Sequence, residues 1–145
     1  MSTSYYSVVL DHDAEQVWSS VRDFNGLATW FSSSVSESHI EDDWDGVSVG
    51  AVRSFRLGDA TIREKLLSMS DADRSYSYEF CDPAPFPVDA YVATVTVAPV
   101  TATKQAFVEW RATFDCAVDE RDHWTQFFAT EVFAPALESL RQYLS

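Results

Sequence analysis

Basic residues are scarce in this sequence of 145 amino acids. Ten lysines and arginines stand against 23 aspartates and glutamates, which gives a formal net charge of −13 at pH 7, and only Lys65 and Lys104 are lysines. Affinity for nucleic acid rests largely on lysine and arginine side chains that neutralise phosphates, and a strong negative charge also repels anionic membranes. We therefore expect no nucleic-acid partner, and we interpret the acidity as a source of solubility or as adaptation to a salty cytoplasm.

Cysteines and long apolar runs are also few. Cys81 and Cys116 are the only cysteines and form no Cys-x-x-Cys motif, so we expect two reduced thiols. No apolar run approaches the roughly 18 to 20 residues that span a membrane. The residues from Met1 to Tyr6 lack the basic and apolar regions of a signal peptide. The expected location is the cytoplasm, without membrane insertion.

Residue patterns typical of metal, phosphate and hydrolase sites are missing or out of context. His12, His39 and His123 lie far apart without ligand spacing, so a metal site has no support. There is no glycine-rich phosphate loop, and no cofactor is expected. The stretch Gly46-Val-Ser-Val-Gly50 matches G-x-S-x-G, but that elbow requires a strand before it and a helix after it. An acidic turn and an antiparallel strand flank it here, which argues against Ser48 as a nucleophile.

The rest of the composition is that of a folded domain. Hydrophobic residues make up 46% of the chain and aromatic residues 14%. A chain of this length buries a core without disulfides or metals. We find no repeat, low-complexity tract or linker, and we predict a single domain over residues 1–145.

A long C-terminal helix is predicted over residues 119–144. Its apolar residues recur at steps of three and four, a stripe so wide that most of the helix must be covered. The stripe consists of Trp124, Phe127, Phe128, Val132, Ala136, Leu140, Tyr143 and Leu144. Pro135 lies inside this pattern and has no N–H for the Glu131 carbonyl, so we predict a kink there. We expect a kinked helix that lies over a cavity.

Seven strands and two short helices are predicted before that helix. A capping-box-like start at Asp13 predicts a helix to about Arg22, and Asp23 or Asn25 caps a second one through Trp30 and Phe31. The predicted strands cover residues 5–10, 35–41, 50–57, 61–69, 75–80, 89–97 and 107–116, with turn residues between them. The order of elements predicts an α+β fold with an antiparallel meander.

Alternation along the strands assigns side chains to the two faces of the sheet. The predicted inner sets are Tyr76, Tyr78 and Phe80, then Tyr91, Ala93, Val95 and Val97, then Val108, Trp110, Ala112, Phe114 and Cys116. For strand 50–57 the alternatives are Arg53, Phe55 and Leu57 or Val52, Ser54 and Arg56. For strand 61–69 they are Ile62, Glu64 and Leu66 or Arg63, Lys65 and Leu67. Alternation alone does not decide these two strands.

A series of short motifs runs along the whole chain. They are Ala14-Glu-Gln-Val-Trp18, Arg22-Asp-Phe-Asn-Gly-Leu-Ala-Thr-Trp30, Val49-Gly-Ala-Val-Arg53, Arg63-Glu-Lys-Leu66, Ser75-Tyr-Ser-Tyr78, Pro87-Val-Asp-Ala-Tyr91, Val108-Glu-Trp110 and Leu137-Glu-Ser-Leu140. In this order and spacing the series resembles the Bet v 1-like superfamily, which includes START domains, bacterial polyketide cyclase/dehydrase-like (SRPBCC) proteins and plant abscisic-acid receptors. The resemblance implies a helix-grip fold, in which a seven-stranded antiparallel sheet curls around the C-terminal helix and leaves an apolar cavity.

The resemblance also implies positions for a site. Glu64 matches a glutamate that points into the hormone receptors' cavity, although Lys65 replaces their arginine, and this match favours Glu64 facing inward. Arg53 matches the arginine of a Val-Gly-x-x-Arg stretch, and Tyr91 the aromatic residue that opens the strand after their gate loop. Residues 83–88 take the place of that gate without matching its sequence. Hormone binding is therefore not implied.

The candidate ligand-cavity residues are Trp30, Arg53, Phe55, Glu64, Tyr78, Phe86, Tyr91, Trp110, Phe128 and Val132. Arg53 and Glu64 on neighbouring strands form either a ligand-recognition pair or a structural ion pair. Tyr78 and Tyr91 either bind a polar ligand group or place hydroxyls at the wet mouth of the cavity. Phe86, an aromatic residue on a proline-rich loop, suits a lid. The tryptophans and the helix phenylalanines are more often core than ligand platform.

These observations predict a protein that binds a small hydrophobic ligand, either ring-containing or acyl, as a monomer or homodimer. An alternative is an enzyme of cyclase, dehydratase or lyase type, with Glu64 or Tyr91 as general base or acid and Arg53 stabilising an enolate. A third hypothesis is a protein-interaction module whose cavity is vestigial. Fold alone does not separate them, because this superfamily hosts many activities.

Overall fold

Seven antiparallel strands form one sheet in the computed structural model, which describes residues 1–145. The strands are β1 (Ser2–Leu10), β2 (Val35–Ile40), β3 (Val52–Leu57), β4 (Ala60–Ser70), β5 (Ser75–Phe80), β6 (Asp89–Val100) and β7 (Gln105–Asp115). Their order is β1-β7-β6-β5-β4-β3-β2, so the strands from β2 to β7 form a meander and β1 pairs with β7. This arrangement follows the predicted turns.

The helices lie in two places, between β1 and β2 and after β7. Helices α1 (Ala14–Val21) and α2 (Leu27–Trp30) join β1 to β2, with a short 3₁₀ turn between them. The C-terminal helix consists of α3 (Arg121–Phe127), a π-helical segment (Phe128–Phe133) and α4 (Ala134–Leu144). Sheet and helix together make the predicted helix-grip α+β fold. None of the helices combines the length and apolar character that crossing a membrane requires.

The start of β1 differs from the prediction because polar residues face the core there. The strand begins at Ser2 instead of Tyr5, and both Ser2 and Ser4 are buried. The Ser4 hydroxyl donates to the carbonyl of Thr125 at 2.6 Å, which ties the strand to the C-terminal helix. A buried serine breaks the apolar alternation that marks a strand, so the pattern hid this end.

The structure decides the faces of β3 and β4 that alternation left open. Arg53 and Phe55 on β3, and Ile62 and Glu64 on β4, are all buried against the helices. Arg53 lies directly opposite Glu64 in the antiparallel register, and Phe55 lies opposite Ile62. The inner face of the sheet therefore carries one cation and one carboxylate side by side within an apolar surface.

The first helix is capped as predicted. The Asp13 carboxylate accepts a hydrogen bond from the Gln16 backbone N–H at 2.9 Å, and the Asp23 carboxylate accepts one from the Asn25 N–H at 3.0 Å. The Trp18 indole N–H donates to Asp71 at 2.8 Å, which ties α1 to the β4–β5 turn. These contacts hold the helical connection against one end of the sheet.

After Phe128 the C-terminal helix follows the predicted stripe only in part, because Ala136 and Leu140 are buried as predicted but other positions differ. The Ala134 N–H bonds to the Ala129 carbonyl, a step of five residues, and this π turn ends immediately before Pro135. The extra residue per turn rotates the buried face, so that Phe133 and Leu137 are buried. Tyr143, which a regular stripe would bury, is 51% exposed.

The π turn generates a test of which side chains hold the helix to the sheet. Phe133→Ala should lower the free energy of unfolding by about 3–5 kcal/mol, because a fully buried aromatic ring is lost and a cavity remains. Tyr143→Ala should change it by about 0.5 kcal/mol or less. Urea unfolding of both variants checks the prediction, and equal losses at the two positions would contradict the π register.

Candidate functional site

An apolar cavity of about 70 Å³ lies between the inner face of the sheet and the C-terminal helix. Thirteen of its 17 lining residues are hydrophobic. The lining consists of Leu27, Phe31, Ser34, Val35, Arg53, Phe55, Leu57, Ile62, Glu64, Tyr78, Phe80, Phe86, Tyr91, Trp110, Phe128, Glu131 and Val132. An apolar pocket with a few convergent polar groups is the usual form of a small-molecule site.

Nine of the ten side chains proposed from sequence line this cavity. The exception is Trp30, which is 3% exposed and packs against Phe31 and Trp110, with both ring-centroid distances 6.4 Å. Its burial in the core between α2 and β7 keeps it from the cavity surface. Trp30 therefore belongs to the core and not to the lining.

The lining residues that sequence reasoning missed fall into two groups. Leu57, Ile62 and Phe80 were already placed in candidate inner-face sets, so strand alternation could have found them. The α2–β2 connection contributes Leu27, Phe31, Ser34 and Val35, and the π segment contributes Glu131. No spacing in the sequence shows that these two segments meet at the cavity.

A buried ion pair forms one wall of the cavity. The Arg53 Nε donates to Glu64 Oε1 at 2.8 Å, and Arg53 Nη2 lies 2.7 Å from the same oxygen. The Nη2 contact is short but poorly directed, and Nη2 has no hydrogen-bond partner of good geometry. Both contacts are made to Oε1, so Glu64 Oε2 accepts no hydrogen bond from the protein.

Aromatic rings and a backbone carbonyl hold the Arg53 guanidinium in place. Its Cζ lies 4.0 Å from the Phe24 ring centroid and 4.8 Å from that of Tyr78, and Nη1 donates to the Phe24 carbonyl at 3.1 Å. Burial is the largest single influence on the pKa of Arg53 and lowers it, but the Glu64 carboxylate together with Tyr76 and Tyr78 outweighs burial, so the pKa lies above its ordinary value. Arg53 is therefore a fixed cation.

Burial and the Arg53 charge act in opposite directions on the pKa of the Glu64 carboxyl. Burial raises the pKa of Glu64 above its ordinary value, and the charge and hydrogen bond of Arg53 oppose that rise. A carboxyl group whose pKa is raised, and which keeps an oxygen free beside a cavity, is able to accept or exchange a proton there. This makes Glu64 the most chemically versatile group of the site.

Two tyrosine hydroxyls complete the polar wall. The Trp110 indole N–H donates to the Tyr78 hydroxyl oxygen at 3.1 Å, which leaves the Tyr78 proton for Tyr91 or for a ligand. Burial raises the pKa of both Tyr78 and Tyr91 well above the ordinary value. Both side chains therefore remain protonated at neutral pH and act as hydrogen-bond donors.

Phe86 closes the opposite side of the cavity. Residues 81–88 form a loop after β5, and Phe86 on this loop is half-buried. Its centroid lies 5.2 to 6.0 Å from those of Phe80, Trp124, Phe127 and Phe128. Next to it, Phe80 and Tyr91 stack at 4.0 Å with 14° between their planes. An aromatic layer thus separates the cavity from the loop.

Other residues considered for chemistry do not join this site. No group of three or more histidine, cysteine, aspartate or glutamate side chains is placed to hold a metal ion. Cys81 and Cys116 are free thiols. Ser48 lies in the turn before the antiparallel strand β3, where its carbonyl accepts the Ala51 N–H at 3.0 Å. The G-x-S-x-G match has no helix after it.

The buried pair yields a prediction for stability. Arg53→Met and Glu64→Met should each lower the free energy of unfolding by about 3–5 kcal/mol, because each leaves an uncompensated buried charge. The double variant should lose much less than the sum, since no charge remains. Urea unfolding gives the coupling energy.

A matched cycle on the exposed Arg63 and Glu41 pair, whose Nε and Oε2 are 2.7 Å apart, serves as the control. Its coupling energy should be about 1 kcal/mol or less because solvent screens the charges. Additive losses at Arg53 and Glu64 would show that their charges do not stabilise each other.

Structural comparisons find the same fold in several bacterial proteins. A protein from Thermobifida fusca has a TM-score of 0.87 and 28% identity, over 99% of this chain and 93% of that chain. The protein XoxI from Bacillus cereus has a TM-score of 0.85 and 28% identity, over 100% of this chain and 97% of that chain. Both likenesses extend over essentially the whole chain.

A plant enzyme shares the fold at lower identity. Norcoclaurine synthase from Thalictrum flavum, solved with dopamine and hydroxybenzaldehyde, has a TM-score of 0.78 and 12% identity, over 98% of this chain and 85% of that chain. No curated protein matches the sequence. The model of the family described as polyketide cyclase / dehydrase and lipid transport matches residues 1–144. The protein therefore belongs to this family, as its motifs implied.

Proposed function

We propose that this protein binds a small hydrophobic molecule, ring-containing or acyl, in the cavity between the sheet and the C-terminal helix. The observation that supports the proposal is the combination of an apolar lining with one polar wall made by Arg53, Glu64, Tyr78 and Tyr91. Apolar surface supplies the driving force for binding, and a few fixed polar groups orient the ligand. Family membership is consistent with such a role.

The size of the cavity requires movement before a ring enters. The volume is about 70 Å³, whereas an engineered cavity that accepts benzene in another protein measures roughly 150 Å³. Phe86 is the side chain whose displacement enlarges the space, because it lies on a loop and covers the helix side of the cavity. An open depression adjoins this region, and Phe80 and Tyr91 line both spaces.

Native mass spectrometry of the freshly purified protein tests the proposal directly. We expect an extra mass that is lost on denaturation, because a ligand held by apolar contacts between sheet and helix dissociates slowly. A clean apoprotein mass, together with no fluorescence change on titration with the neutral apolar probe N-phenylnaphthylamine, would favour an interaction module with a vestigial cavity.

The lid predicts a specific effect on the same titration. Phe86→Ala should raise the association rate of N-phenylnaphthylamine several-fold, since the ring no longer has to leave its aromatic contacts before the probe enters. Phe107→Ala is the matched control, because Phe107 lies on the opposite face of β7 from Trp110. Stopped-flow fluorescence gives both rates, and equal rates for the two variants would remove Phe86 from the access route.

An enzyme of cyclase, dehydratase or lyase type is the second candidate, favoured by the state of Glu64. A buried carboxyl with a raised pKa and a free oxygen suits a general base or acid, with Arg53 next to it to stabilise an enolate and Tyr91 as a proton donor. Glu64→Gln should then retain the ligand mass but lose turnover of that molecule by at least a hundredfold. Unchanged turnover would leave binding as the function.

A further inference from the structure

The charge around the cavity is unfavourable for an anion. Arg53 is the one cationic side chain of the lining, and Glu64 and Glu131 are its two carboxylates. Glu131 is exposed on the π segment and therefore lies where the cavity approaches solvent. The whole chain carries a net charge of −13. A ligand carboxylate would meet a net negative wall in a region of low dielectric.

Most of the hydrogen-bond donors of Arg53 are already used within the protein. Its Nε and Nη1 already donate to Glu64 and to the Phe24 carbonyl, and its plane is enclosed by the rings of Phe24 and Tyr78. Nη2 lacks a good partner, but the Arg53 side chain is only 1% exposed, against 7% for Glu64. A ligand therefore reaches the carboxylate of the pair more readily than the guanidinium.

Glu64 offers the opposite situation. It keeps 7% of its side chain accessible, and both contacts from Arg53 are made to Oε1. Oε2 thus has no hydrogen bond from the protein and is not among the fully buried unpartnered atoms, so it is an acceptor that a ligand at the cavity can reach. The protonated hydroxyls of Tyr78 and Tyr91 lie on the same wall and supply donors.

We propose that the polar end of the ligand is an uncharged hydroxyl group, of a phenol or an alcohol, which donates to Glu64 Oε2 and accepts from Tyr78 or Tyr91. This inference rests on the proposed binding function. A hydroxyl is both donor and acceptor, so it satisfies both kinds of group on the wall. A carboxylate has no proton for Glu64, an ammonium group has no acceptor for the tyrosines, and an ether leaves Oε2 unpaired.

A matched ligand series tests the hydroxyl directly in the unmodified protein. The probes are para-propylphenol, para-propylanisole and para-propylbenzoate, which share the ring and the tail and differ in the polar end. We expect the phenol to bind at least tenfold more tightly than the other two at pH 7, because a hydrogen bond to a charged acceptor changes binding by roughly tenfold to a hundredfold. Isothermal titration calorimetry gives the three affinities.

The outcomes separate this inference from the proposed function. Equal binding of phenol and anisole, or tighter binding of benzoate, overturns the hydroxyl assignment and leaves hydrophobic binding intact. Binding of N-phenylnaphthylamine without binding of the phenol also overturns the assignment alone. If neither that probe nor any member of the series binds, both the assignment and the proposed function fail.

Two variants locate the effect at the proposed acceptor. Glu64→Gln should reduce the phenol-to-anisole affinity ratio to about threefold or less, since the amide carbonyl is an uncharged and weaker acceptor. Glu109→Gln changes a carboxylate that accepts the Tyr5 hydroxyl, outside the cavity lining, and should leave the ratio as in the unmodified protein. Circular dichroism confirms that each variant is folded. An unchanged ratio in folded Glu64→Gln would exclude Glu64 as the acceptor.

Discussion

The grip of the sheet on the C-terminal helix depends on two phenylalanines of the π segment. Phe133 stacks on Trp110 of β7 with ring centroids 4.8 Å apart and 13° between the planes. Phe128 meets the edges or faces of Phe114 and Tyr91 at 5.3 and 5.0 Å. A regular α-helix would not bury residues five apart equally well, so the π turn allows both rings to reach the sheet. Pro135 lies in the first turn of α4, just after the π segment. Proline has no N–H to donate, so it disturbs the helical hydrogen bonds least where their spacing already changes from five residues to four.

The inner face of the sheet is not apolar throughout where it lines the cavity. Arg53 and Glu64 stand opposite each other on β3 and β4, where two aliphatic side chains would pack as well or better, and a buried ion pair of this kind contributes little net stability against such a replacement. The pair is instead well enclosed, by cation–π contacts from Phe24 and Tyr78 and by a backbone carbonyl. A costly polar group that is held this firmly at a cavity wall is better explained by recognition or chemistry than by folding. That argument supports the binding proposal without naming a molecule.

Sequence periodicity was sufficient for the architecture but not for the site. Turn residues and alternation located all seven strands, because turn residues separate them, although β1 begins three residues before the predicted Tyr5. They failed to orient β3 and β4 because both faces of each strand carry a charge, and only the tertiary pairing of Arg53 with Glu64 makes one orientation acceptable. The stripe of the last helix was read with a period of 3.6 residues, so the π turn shifted Phe133 and Leu137 out of the prediction. The contribution of residues 27–35 depends on how α2 docks on the sheet, which local patterns do not encode.

The aromatic contacts of Phe86 also influence which ligand the cavity would accept. Phe86 makes four aromatic contacts in the closed form, and such pairs contribute about 0.5–1.5 kcal/mol each beyond the area that they bury. Opening the lid therefore costs a few kcal/mol, and a ligand that requires the open form loses that amount from its apparent affinity. A ring-containing ligand recovers part of the cost, because it replaces the displaced ring against Phe80 and Phe128. A linear acyl chain has no such contact to offer, so within the proposed ligand class the lid favours a ring.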